Sequence, residues 1–223
     1  MKHLKKITFI CMLAFFLTDC SPKKSTTKTE SETLKKNSEV LSSKSESDVT
    51  PALELFKKIL HNETFFFDEN NEKVYITHYQ QDRSDLNFAI IDMDGNGTPE
   101  LLLHKLYNGD TIVMHYYNGL VHANEYGFRG MNSLKVDGTF NWSNSAFNSG
   151  IGRLQFIEVN QKTIYLVEND TQEENEIFRI NNIEVNQEDF WAFTATQDNK
   201  AELIWYELTT ENIDKRVDAL LDI

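Results

Sequence analysis

Three carboxylates, one amide and two glycines fall within nine residues, Asp92-Met93-Asp94-Gly95-Asn96-Gly97-Thr98-Pro99-Glu100, between the apolar stretches Phe88–Ile91 and Leu101–Leu103. Counted from Asp92, side-chain oxygens stand at positions 1, 3, 5 and 9 on Asp92, Asp94, Asn96 and Glu100, and Thr98 at position 7 offers its carbonyl. A hard cation such as calcium takes about six to eight oxygens at roughly 2.3–2.6 Å, and this alternation wraps oxygens around a sphere. Gly97 sits where the chain must turn sharply and a side chain would clash. Three carboxylates this close also repel one another and call for a countercharge. The alternative is a polar turn without metal, since Asp-Gly and Asn-Gly pairs make turns unaided. The expectation is one calcium ion held by Asp92, Asp94, Asn96, Thr98 and Glu100.

An EF-hand would need a bidentate Glu at position 12, which here is Leu103. The chain leaving the loop is short and ends at Asn108-Gly109, which suits a strand better than a helix, and Pro99 fits a strand's first residues. The loop and its flanks resemble the strand-loop-strand calcium sites of integrin-type and related bacterial repeat modules, where Asp-x-Asp-x-Asn/Asp-Gly-x-x-Asp/Glu supplies the ligands. That resemblance implies side-chain oxygens from Asp92, Asp94, Asn96 and Glu100 and the carbonyl of Thr98. More broadly, FAIIDMDGNGTPELLL, followed later by FRINNIEVNQEDFWAF and ELTTENI, is similar to an uncharacterised family of Gram-positive bacterial lipoproteins. No established activity comes with it.

Histidines supply a second constellation. If Asn108-Gly109 and Asn118-Gly119 are both two-residue hairpin turns, His115 faces His122 and His104 faces Val113, so all three share one sheet face. Three converging imidazoles could bind zinc with an open fourth position, a route to a metal-dependent hydrolase. The competing expectation is a half-exposed polar face, with Leu101, Leu103, Ile112, Met114, Tyr116, Val121 and Ala123 forming the core on the other side. Gly-x-Ser-x-Gly, His-Glu-x-x-His, phosphate-loop and dinucleotide patterns are missing. Residues 138–153 read as a long polar loop bearing Phe140, Trp142 and Phe147, suited to a sugar or peptide ligand. Burial of those rings against a sheet is the plainer alternative.

The elements that must position these residues follow from periodicity. TPALELFKKILHNE carries Ala52, Leu55, Phe56, Ile59 and Leu60 at helical spacing, with Thr50 as expected N-cap and Pro51 in the first turn. The period then falls to two in short runs rich in Ile, Val, Phe and Tyr separated by Asn-Gly, Asn-Asn and Asn-Gln pairs. Two further helices are expected after Asn186 and after Thr209 or Thr210, flanking a strand AELIWYEL. The fold class is α+β: a mostly antiparallel meander with one N-terminal and two C-terminal helices, in one domain over 50–223.

Residues 1–19 have the basic start and short apolar stretch of a signal peptide, too short for the roughly 20 residues that span a bilayer. Leu17-Thr18-Asp19-Cys20 resembles a lipobox, which implies diacylglyceryl attachment at Cys20; Asp19 stands where that family usually has Gly, Ala or Ser. The other cysteine, Cys11, lies within the apolar stretch, so no disulfide is expected in the mature chain. Residues 20–49 lack aromatics and are rich in Ser, Thr, Lys and Glu, the composition of a disordered tether. The expected location is the extracellular face of the cell membrane. Of 22 basic and 35 acidic residues, removing those of signal and tether leaves 13 and 29, a net of −16 for the folded part. Such a domain repels phosphate backbones, so nucleic acid is excluded as a partner and an unknown envelope or extracellular ligand is expected.

Overall fold

The computed structural model describes residues 48–79, 85–172 and 175–222. The signal peptide, Cys20 and nearly all of the tether lie outside the described residues. The described residues form one compact unit of α+β class.

Helix α1 (Thr50–Leu60) buries Ala52, Phe56, Ile59 and Leu60 of the expected stripe together with Leu53, whereas Leu55 is only partly buried. Thr50 is not its cap. Val49 occupies that position without a side-chain bond, and the Thr50 N–H donates to Asp48 Oδ1 at 3.1 Å. Pro51 lies in the first turn, where its missing N–H costs nothing. Two short strands, β1 (Phe66–Phe67) and β2 (Lys73–Val74), precede the meander β3 (Leu86–Ile91), β4 (Glu100–Lys105), β5 (Thr111–Tyr117) and β6 (Leu120–Tyr126). With β12 (Tyr206–Glu207) these make a seven-stranded sheet ordered β12-β3-β4-β5-β6-β1-β2, antiparallel except between β1 and β6. Of the expected strand AELIWYEL, only Tyr206–Glu207 pairs as a named strand.

The second sheet is ordered β11-β10-β9-β8-β7, with β7 (Thr139–Ser143), β8 (Asn148–Ile157), β9 (Asn160–Gln172), β10 (Asn175–Ile180) and β11 (Ile183–Val185). Residues 138–153 are therefore a β7–β8 hairpin rather than a long loop. Period-two placement of Phe140 and Trp142 carries both rings inward, leaving Phe147 exposed at the turn. Helices α2 (Gln187–Asp198) and α3 (Thr210–Leu221) start where expected. Asn186 Oδ1 accepts from the Asp189 N–H at 2.8 Å, and Thr209 Oγ1 accepts from the Asn212 N–H at 3.2 Å.

Both faces of the seven-stranded sheet are covered. Leu101, Leu103, Ile112, Met114, Val121 and Ala123 pack with α1 and with Ile213 and Val217 of α3, the core the sequence placed there. On the opposite face Ala89, Leu102 and Val113 meet Phe140, Trp142 and Leu154 of the second sheet. The expectation of a half-exposed polar face is thus corrected: it is a seam between two sheets. Uninterrupted apolar triplets, Leu101-Leu102-Leu103 and Ile112-Val113-Met114, are the mark of strands buried on both sides.

Gly138, just before β7, marks a close approach. Its φ is +77°, and a Cβ there would lie 2.1 Å from the Met93 carbonyl oxygen. Gly119 has a similar φ, +80°, but open space around it. Alanine in the left-handed region costs about 1–2 kcal/mol. Gly119→Ala should lower stability by that amount, and Gly138→Ala by clearly more because backbone must also move; urea denaturation of both variants measures the difference, and equal losses would contradict the contact.

Candidate metal centre

Strands β3 and β4 pair Ile91 with Glu100, so residues 92–99 form the loop between paired ends. The loop is wound on its own side chains. Asp92 Oδ1 accepts from the N–H groups of Gly95 (2.8 Å) and Asn96 (3.1 Å), and its Oδ2 accepts from Gly97 (2.9 Å). Asp94 Oδ1 accepts from Asn96 N–H at 3.1 Å, and Asn96 Oδ1 from Thr98 N–H at 2.6 Å. These are the bonds short polar side chains make to their own turns. Gly97, at φ +90°, provides the expected sharp bend.

Glu100 begins β4 and shares a sheet face with Leu102, so its side chain points into the seam between the sheets. It is 1% exposed, and Oε2 accepts the Met93 N–H at 2.8 Å. Met93 is itself fully buried among the seam residues, and it is the residue Gly138 approaches. One oxygen each of Asp92, Asp94 and Glu100 lies within 4.8 Å of the others, the one such group of metal-ligating acids, histidines or cysteines among the described residues. Asn96 and Thr98 are adjacent in the same loop, joined by their own hydrogen bond.

Burial pushes the Glu100 carboxyl up to about 9; the Met93 N–H opposes the rise, and the negative charges of Asp94 and Asp92 add to it. The geometry therefore has two chemical solutions at neutral pH. Glu100 takes a proton, or a cation enters and lets all three carboxylates ionise.

The histidines do not assemble a site. His115 pairs with His122 as expected, their ring centroids 5.9 Å apart. His104 pairs with Thr111, not Val113, because Asn108-Gly109 belongs to a four-residue connection in which the Lys105 N–H donates to the Asp110 carbonyl. The two-residue slip keeps His104 on the same face but moves it four residues along β5 from His115, about 13 Å of strand. No nitrogen set from the three lies within 4.8 Å.

Both nitrogens of His115 are occupied, Nε2 against the Glu158 carbonyl at 2.8 Å and Nδ1 against Gln161 Nε2 at 3.2 Å. Gln161 Nε2 also donates to the Val113 carbonyl, so it donates to Nδ1, and the partners select the neutral Nε2–H tautomer. His122 stacks on Phe67, and His104 leans on Trp205 with Nδ1 3.3 Å from Thr111 Oγ1. Burial holds all three imidazoles below their ordinary value. They are neutral packing groups, and the zinc geometry is absent from this face.

Residues that sequence reasoning passed over lie around α2. Phe190 is buried, while Trp191 is 52% exposed beside a cavity that Trp142 also lines. The signal was Phe190-Trp191-Ala192-Phe193, since neighbouring aromatics on a helix cannot all face inward. Compared with known proteins, the chain matches no family model, no curated protein and no solved structure.

Without metal, the folded state keeps a proton on Glu100 between the ordinary carboxyl value of 4.5 and about 9, whereas the unfolded state has lost it. The stability this contributes is complete below about pH 4.5 and declines as pH rises toward 9. In chelator, unfolding free energy should fall from pH 5 to pH 8, and Glu100→Gln should flatten the decline; a flat wild-type profile would contradict the buried, proton-binding carboxyl.

Proposed function

We propose that this protein is a lipid-anchored domain on the extracellular face of the cell membrane of a Gram-positive bacterium, stabilised by one calcium ion in the Asp92–Glu100 loop. The observation that carries the reading is the buried Glu100 carboxylate gathered with Asp92 and Asp94 where two strands converge. A divalent cation relieves that desolvation and repulsion at once. Asp92, Asp94 and Glu100 would hold it, with the Asn96 side chain and the Thr98 carbonyl completing a set of hard oxygens. The role is structural. Glu100 begins β4, Asp92 follows β3, and the bond from Met93 ties the loop to the seam between the sheets.

Export and anchoring rest on the residues themselves: Lys2, Lys5 and Lys6, the apolar stretch to Leu17, and Cys20. An extracellular setting suits a weak site, because calcium modules outside cells have dissociation constants of about 0.1–1 mM. The net negative charge of the folded part draws cations and repels anionic headgroups, so contact with the membrane is assigned to the lipid anchor, with the tether holding the folded part away from it.

At 10 mM calcium such an affinity adds about 1.4–2.7 kcal/mol of stability. Thermal unfolding of the full-length protein should shift upward accordingly relative to chelator, and the doubly substituted Asp92→Ala, Asp94→Ala protein should show no shift; identical behaviour of the two would refute the site. In a lipoprotein-processing bacterial host, Cys20→Ser should move the protein from the detergent phase to the aqueous phase on detergent partitioning. Retention of the variant in the detergent phase would refute anchoring at Cys20.

A further inference from the structure

We propose that Asn118, in the turn between β5 and β6, is a self-modification site, whose side chain cyclises onto the Gly119 nitrogen and then opens to aspartate or isoaspartate. An asparagine followed by glycine is the pair in which side-chain carbon and next backbone nitrogen meet with least hindrance, because glycine carries no Cβ beside that nitrogen. The chain has three such pairs, Asn96-Gly97, Asn108-Gly109 and Asn118-Gly119. All three asparagines are exposed, so access to water does not tell them apart. Their hydrogen bonds do.

The reaction needs two freedoms: the glycine N–H must give its proton to water, and the asparagine Cγ must swing to meet the bared nitrogen. That nitrogen bonds to Cγ, the Cγ–Nδ2 bond breaks, and the departing amine takes a proton back from water and leaves as ammonia. Water then adds to one carbonyl of the cyclic imide. Opening at Cγ leaves aspartate, and opening at the backbone carbonyl leaves isoaspartate, with the main chain rerouted through the side chain. The sum is one water consumed and one ammonia released.

Two of the pairs lack those freedoms. The Gly97 N–H donates to Asp92 Oδ2 at 2.9 Å, so baring its nitrogen would set one anion against another, and Asn96 Oδ1 is held by the Thr98 N–H at 2.6 Å. The Gly109 N–H donates to the Lys105 carbonyl at 2.8 Å. Asn108 is held at both ends of its amide, Oδ1 by the Asp110 N–H at 3.1 Å and Nδ2 by Asp110 Oδ2. At the third pair the ladder closes on Tyr117 and Leu120, and neither the Asn118 amide nor the Gly119 N–H has a partner among the described residues. Asn118 has a φ of 50° and Gly119 of 80°, the left-handed two-residue turn that Asn-Gly favours, and no atom lies within 4 Å of where a Gly119 Cβ would stand. Aspartate fits the same turn, since Asp-Gly favours it too. Isoaspartate adds a backbone atom to the shortest connection between β5 and β6, strands that carry Met114, Val121 and Ala123 of the core. The site shares no residue with the Asp92 loop, so it does not depend on the calcium reading.

The test incubates the full-length protein at neutral pH, folded and in urea, with chelator present so that no metal shields Asn96. Peptides are then followed by mass spectrometry, with isoaspartate separated from aspartate by chromatography. In the folded protein Asn118 should convert at least roughly tenfold faster than Asn96 or Asn108, where attack must first break a hydrogen bond. In urea the three should convert at similar rates. A folded protein in which Asn118 converts no faster than either of the others, or an unfolded chain that shows the same order of rates as the folded one, would overturn the proposal.

Discussion

A carboxylate buried at the foot of a hairpin sets the constraints on this molecule. Glu100 lies at the first position of β4, on the face that meets the second sheet, where water does not reach it. An ionised carboxylate there is far too costly to leave unmatched. Its one hydrogen bond, from Met93, lowers that cost only in part, and Asp92 and Asp94 raise it. Loop winding, left-handed glycines and the approach of Gly138 to Met93 all serve to hold these three acids together in spite of their repulsion. A proton on Glu100 offsets that cost, and so would a countercharge placed among the three acids.

The second consequence concerns the seam between the sheets. A sheet covered on both faces has no half-wet surface on which to display imidazoles, so its histidines become interior groups. His115 spends both nitrogens on Glu158 and Gln161, and its ring lies against Phe156 at 5.0 Å. Desolvation keeps it neutral, which is the form that packs and bonds here. Such a residue links the sheets by hydrogen bonds as well as by packing. A group committed in this way is not available as a metal ligand without breaking the seam.

The second sheet adds a different kind of local conflict. Gly150 lets two backbones come close, since a Cβ there would lie 1.8 Å from the Val167 carbonyl oxygen. A small cavity without charged lining lies beside α2, bounded by Asn141, Ser149, Asn169, Phe190 and Trp191 among others. Trp142 Nε1 and Asn169 Oδ1 are two of several buried side-chain atoms without a hydrogen-bond partner, Asn87 Oδ1 and Gln197 Nε2 among them.

Much was legible in the residues alone because it is local. The turns of the Asp92 loop, the cap bonds of Asn186 and Thr209, the apolar stripe of α1 and the period-two strands each depend on side chains a few positions apart, and so does the α+β class they add up to. Thr50 as a cap was a local expectation that failed, since the helix begins at Thr50 itself and Val49 holds the cap position. What only the tertiary structure decided is non-local: that a second sheet covers the histidine face, that a four-residue connection rather than an Asn-Gly turn sets the register of β4 on β5, and that Glu100 is buried rather than merely acidic. Those outcomes depend on which distant surfaces exclude water from which side chains, and desolvation is a property of the assembled interior that no short stretch of chain contains.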